Sequence, residues 1–173
     1  LIDPFHGRAD LVRGCLQAVD ERTFAEDPLR ALRVAQFVGR FAFAASPALL
    51  AQCRSMDVSG LPPERVRGEV EKLLLKGRRP SQGWAFAREA GLWQRLLPEW
   101  DVPPPAQLDR LAAAPIEGPP RRLALLLACT ARVDDLEAVL DRLRLFAWLG
   151  YDVRGQALAL SSAGRAGPDA QPA

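Results

Sequence analysis

Along most of this chain apolar residues recur every three or four positions, and strict alternation is almost absent. That spacing turns one stripe of a helix toward a core, so the pattern predicts an all-α protein, a multi-helix bundle of about eight or nine helices. The clearest helix opens at Glu26-Asp27-Pro28-Leu29-Arg30-Ala31-Leu32-Arg33. Asp27 suits an N-cap and Pro28 the first helical position, where its missing N–H costs nothing. On a 3.6-residue period Ala31, Leu32, Val34, Ala35, Val38 and Phe41 fall on one side. Glu26, Arg30, Arg33, Gln36 and Arg40 gather on the other, while Leu29 and Phe37 stray from the division.

The same reasoning places the other elements. Residues 1–9 are turn-rich, with Leu1-Ile2 as the one strand-like remnant, and Asp10 caps a helix to about Val19 that turns Leu11, Cys15, Leu16 and Val19 inward. A connection from Asp20 to Ala25 follows, with Thr23 and Glu26 spaced for a capping box. Helices are predicted from Ser46-Pro47 to Met56, from Glu64 to Lys76 with Gly77 at its end, and from Pro80 to Ala90. Leu92 to Pro98 is a short apolar turn or helix. Asp101-Val102-Pro103-Pro104-Pro105-Ala106 reads as a semi-rigid linker. Beyond it come helices at 106–114, 119–132 and 134–148, a further one at 151–160, and a disordered tail over 161–173. The boundaries divide the chain at 1–25, 26–100, 101–106, 107–160 and 161–173.

Composition excludes more than it identifies. Hydrophobic residues make up 49% of the 173 and charged residues 25%, enough for a buried core and too apolar for wholesale disorder. The net charge is only +2, so charge alone does not argue for nucleic acid, although most of the basic residues are arginine. Cys15, Cys53 and Cys129 have neither metal-ligand spacing nor an even number, which predicts reduced, partly buried thiols inside helices. No apolar run reaches the length of a membrane span and no signal peptide is visible, consistent with a cytoplasmic protein.

Candidate chemistry is sparse. His6 stands alone in a turn, no nucleophile has a matching base, and no glycine-rich phosphate loop occurs, so no catalytic or metal-binding residue is assigned. Asp134-Asp135 reads as helix capping. Lys72, Lys76, Arg78 and Arg79 form a basic cluster at a helix end that suits either RNA phosphate or plain solvation. Asp27 and Arg30 sit within one turn of each other. Ordinary surface electrostatics accounts for such a pair as readily as recognition does.

Three stretches in order change the balance: Asp3-Pro4-Phe5-His6-Gly7-Arg8-Ala9-Asp10-Leu11, then Phe24 to Phe37, then Glu64-Arg65-Val66-Arg67-Gly68-Glu69. Together they resemble the bacterial tRNA nucleotidyltransferase (CCA-adding enzyme) and poly(A) polymerase family over residues 1–100, with Pro80 to Trp100 similar to the close of its neck and body region. The resemblance implies that Asp27 and Arg30 read the Watson–Crick edge of an incoming CTP or ATP. Asp accepts from an exocyclic amine and Arg donates to ring or carbonyl acceptors. It further implies that Glu26 orients the arginine, that Arg33 lies toward the sugar and phosphate, and that Arg65 and Glu69 brace the helices.

Two departures are visible: His6-Gly7 stands where the family pattern has Gly-Gly, and Gln17 where it usually has Arg. The glycine-serine turn and paired Asp of the family's catalytic head are absent from this sequence, so Mg2+ is expected in a missing head and no cofactor on this chain. The expected partners are RNA, above all the tRNA 3′ end, and CTP or ATP. A non-catalytic helical RNA-binding or protein-interaction module is the alternative.

Overall fold

Helix α3 (Leu29–Phe41) is the axis of the first half of the chain. Leu29, Ala31, Leu32, Val34, Ala35, Val38 and Gly39 are buried along it, and so is Gln36. It lies against α5 (Pro63–Lys76) and α6 (Pro80–Glu89), with α4 (Pro47–Ser55) entering beside them. Helices α4 and α6 start where their sequence predicts, and α5 one residue earlier, at Pro63. Ser46 accepts the Leu49 N–H at 3.2 Å to cap α4, and prolines stand in the first turns of α4, α5 and α6.

Two glycines set how closely these helices meet. A Cβ on Gly83 would stand 2.3 Å from the Ala35 carbonyl oxygen and 2.5 Å from Leu73 Cδ1, and one on Gly39 would stand 2.6 Å from the same methyl. Gly77 ends α5 with φ −68, not in the left-handed region. It is glycine because a Cβ there would lie 2.4 Å from the Leu73 carbonyl oxygen.

The second half closes over the first through tryptophans. Trp84 on α6, Trp93 on α7 (Leu92–Leu96) and Trp100 on a 3-10 turn (Pro98–Trp100) are all fully buried. Their ring centroids are 4.5, 5.3 and 5.5 Å apart. Trp84 Nε1 donates to the Val102 carbonyl at 3.0 Å, which holds the proline-rich stretch down. Then α8 (Leu108–Ala113), α9 (Pro119–Ala128), α10 (Val133–Arg142) and α11 (Val153–Ala163) pack mainly on one another. Helix α9 also reaches α5, and Asp109 accepts from both the amide and the hydroxyl of Ser81 at 2.9 and 2.6 Å.

The computed structural model describes residues 2–163. Eleven α-helices lie among them, so the all-α class holds with more and shorter elements than the eight or nine expected. The N-terminal part differs most. The helix expected from Asp10 to Val19 is α1 (Gly7–Arg13), stopped by Gly14 in the left-handed region at φ 63. Cys15–Leu16 (β1) then pairs in parallel with Ala44–Ala45 (β2), so Cys15 is not helical. Leu11 and Val19 are exposed rather than inward. The expected connection after Asp20 contains a helix, α2 (Glu21–Ala25). Asp20 caps it by accepting from Arg22 N and the Thr23 hydroxyl, in place of the Thr23–Glu26 box.

Other boundaries also move. Helix α3 starts at Leu29, and Asp27 accepts the Leu29 N–H at 3.1 Å from just outside it. Helix α10 begins at Val133, so Asp134 and Asp135 lie inside its first turn and complement the dipole instead of capping it. It ends at Arg142, because positive φ at Arg144, Leu149 and Gly150 carries the chain through a turn where a longer helix was expected. Ser161 to Ala163 belong to α11; Leu1 and the remainder of the expected tail lie outside the described residues. All three cysteines are free thiols.

Candidate functional site

The site is built where α2 runs into α3. Its support comes from α5, one helix away in space and 38 residues away in sequence. Arg65 donates through Nη2 to both Asp27 carboxylate oxygens, at 3.0 and 3.3 Å. One turn further along α5, Glu69 receives Lys72 Nζ at 2.8 Å and faces Arg33 Nε at 3.8 Å. Two ion pairs of opposite sense therefore tie α5 to α3 and to the residue pair that leads into it. Glu69 is almost wholly buried, and its second oxygen has no hydrogen-bond partner in the chain.

The Asp27 carboxyl is subject to opposed influences. Burial pushes its pKa up, but the Leu29 amide and the Arg65 guanidinium outweigh it and hold the group below its ordinary value. Its oxygens offer about four acceptor positions, of which Leu29 and Arg65 take three.

Arg30 goes elsewhere. Its guanidinium donates to the Thr23 carbonyl of α2. Together with Arg33 it lines a cavity of about 240 Å³ walled by Leu16, Gln17, Phe24 and Phe37. A second concavity of about 570 Å³ adjoins it through Gln17, Phe24 and Arg30. Arg30 and Arg33 are thus brought together, whereas Asp27 is turned toward α5 and Glu26 is solvent-exposed at the end of α2. The arginine is oriented by the Thr23 carbonyl rather than by Glu26.

Three lining residues carried no earlier assignment: Gln17, Phe24 and Phe37. Phe37 left a trace, since it broke the apolar and polar division of α3. Gln17 and Phe24 enter the wall only because β1 pairs with β2 and folds the N-terminal segment back onto α3. His6 is exposed and sits in the left-handed region at φ 57, a conformation that glycine adopts more readily.

Lys72, Lys76, Arg78 and Arg79 separate into two kinds. Lys72 is committed to Glu69. Lys76, Arg78 and Arg79 are exposed, and among the described residues none of them joins an ion pair.

The fold and this opening define a helical bundle with arginines and aromatic rings around one concavity. Residues 47–102 match the family model described as "Probable RNA and SrmB- binding site of polymerase A". The chain is 45% identical over 104 residues to the Multifunctional CCA protein of Leptothrix cholodnii, an alignment covering 57% of this chain and 24% of that one. It spans about a quarter of the length of the curated relatives it matches.

Two solved structures share the fold. One, a "tRNA-processing enzyme (apo form I)", has a TM-score of 0.64 at 19% identity, covering 92% of this chain and 46% of the other. The second, "The structure of CCA-adding enzyme apo form I", has a TM-score of 0.62 at 22% identity, covering 83% and 37%. The chain is thus similar to CCA proteins over somewhat more than half of its length and to the polymerase A family model over residues 47–102.

Proposed function

We propose that this chain is the nucleotide-selecting and RNA-binding part of a tRNA nucleotidyltransferase or poly(A) polymerase-like enzyme, which adds nucleotides to RNA 3′ ends in the cytoplasm. The observation that carries the proposal is the 45% identity to a Multifunctional CCA protein, in a chain whose Arg30 and Arg33 line one cavity where α2 meets α3.

The base of CTP or ATP enters at the α2–α3 junction. Asp27 uses its remaining acceptor position for the exocyclic amine that cytosine and adenine share. Arg30 exchanges the Thr23 carbonyl for a ring or carbonyl acceptor of the base. Arg33, held by Glu69, meets the sugar and phosphates, and Glu26 adds negative potential at the rim. The exposed Lys76, Arg78 and Arg79 meet RNA phosphates, with Lys72 behind them.

Among the described residues no group of three or more His, Cys, Asp or Glu is placed to hold a metal ion. No step of transfer is assigned to these residues. The carboxylates for a metal-assisted transfer would come from a head in a longer chain or from a partner. Among the same residues no helix is long and apolar enough to cross a membrane.

Calorimetric titration with CTP, ATP and GTP tests the base-reading role. The expected result is preference for CTP or ATP over GTP, lost in both Asp27→Ala and Arg30→Ala. Equal affinity for all three nucleotides, unchanged by either substitution, would overturn it in favour of a helical module without base reading. Incorporation into tRNA by this chain beside its full reading frame tests whether transfer needs the head.

A further inference from the structure

Helix α3 leaves the C-terminal part of one face exposed, and the composition of that face is unusual. At helical spacing Arg30, Arg33, Phe37, Arg40 and Phe41 fall within about 100° of arc at roughly 100° per residue, on the side away from Gly39 and its contact with Leu73. Phe37 and Phe41 remain 38% and 42% exposed. They are not scattered: Phe37 and Phe41 have ring centroids 5.7 Å apart, and Phe41 and Phe43 are again 5.7 Å apart. Arg40 places its guanidinium 5.3 Å from the Phe41 ring centroid. At its N-terminal end the row runs into the cavity that Phe24, Arg30, Arg33 and Phe37 share.

We infer that the row formed by Phe37 and Phe41 of α3 and Phe43 just beyond its end, flanked by Arg33 and Arg40, is a stacking platform for single-stranded RNA leading into the Arg30–Arg33 cavity. Rings exposed in a row offer π-faces to successive unstacked bases, and every base has one. The arginines supply the phosphate contacts and can themselves stack. The charge on this face decides between occupants. A purely apolar protein contact would desolvate Arg40, which joins no ion pair among the described residues, whereas a polyanion complements it together with Arg33. The inference rests on the RNA-binding part of the proposed function and names the surface for it.

The test is binding of a fluorescein-labelled 12-nucleotide oligoadenylate to the whole chain, followed by anisotropy at low and moderate salt. Phe37→Ala and Phe41→Ala should each weaken binding about tenfold, with little change in the salt slope. Arg40→Ala should reduce the slope, and Arg40→Lys should restore the slope without restoring the full affinity. Both rings are at the surface, so melting temperatures should stay near that of the unaltered chain. Phe41→Leu should bind as weakly as Phe41→Ala, because it keeps apolar area and removes the ring.

Undiminished binding by the Phe variants would overturn the platform alone and leave RNA binding elsewhere intact. Absence of any salt-dependent binding by the unaltered chain would overturn the RNA reading and the platform with it. A self-association abolished by Phe41→Ala, with RNA binding unchanged, would identify the face as a protein contact instead and also overturn the platform.

Discussion

Asp27 shows how one side chain can be shared between stability and recognition. The fold prefers its charged form, since Leu29 and Arg65 hold its pKa down against the effect of burial. A depressed carboxyl contributes stability that is complete above its unfolded value, about 3.9, and is lost as pH falls through the lower folded value. Asp27→Ala should therefore be less stable than the unaltered chain at pH 7 by about 1 kcal/mol, from a lost helix-start hydrogen bond and ion pair. Urea unfolding across a pH series should show that gap narrowing below about pH 4. A gap that stayed constant or widened toward acid would mean that Asp27 does not depend on its charge. Such a gap would be thermodynamic, and nucleotide selectivity is a separate readout.

At the scale of elements, what matters is how closely α3, α5 and α6 approach. The glycines at 39 and 83 make room for Leu73, and at Gly83 the nearest atom is the Ala35 backbone carbonyl oxygen, which no side-chain rotation can move aside. Gly83→Ala should cost about 1–3 kcal/mol by overpacking, despite alanine's better helix propensity. Denaturant midpoints would check this, and a stabilised variant would show that the helices separate freely. Because the same crossing positions Arg33 against Glu69, the variant should also weaken any nucleotide binding that depends on Arg33.

Sequence periodicity explains which parts of these elements were legible. Prolines and Ser46 marked the starts of α4, α5 and α6, since capping is a property of neighbouring residues. The width of the buried face was not legible. Gln36 is buried because α3 is covered from two directions, and Phe41 is exposed because nothing packs on the opposite side.

Across the whole molecule, the tryptophan cluster is one of the seams that join the two halves. Trp100 has no exposed surface, packs on Trp84 and Trp93, and follows Glu99, which accepts from Arg142 of α10 at 3.0 Å. Trp100→Ala should cost about 3–5 kcal/mol, read from denaturant unfolding. Trp100→Phe should recover much of that loss, because the buried Trp100 Nε1 has no acceptor among the described residues and its removal relieves an unpaired donor. Equal losses in both variants would mean that the indole N–H has a partner after all.

What this sequence determined by itself was local: the helical class, the caps and prolines that start helices, and an Asp–Arg pair at the mouth of one of them. Those follow from hydrogen bonding and side-chain spacing within a few residues. Only the tertiary structure decided which partners that pair would have. It set Arg65 against Asp27 across 38 residues and turned Arg30 toward Thr23. It also folded Gln17 and Phe24 into the same wall as Phe37. Contacts between residues so far apart depend on how helices close over a common core, and no periodicity along a single helix contains that information.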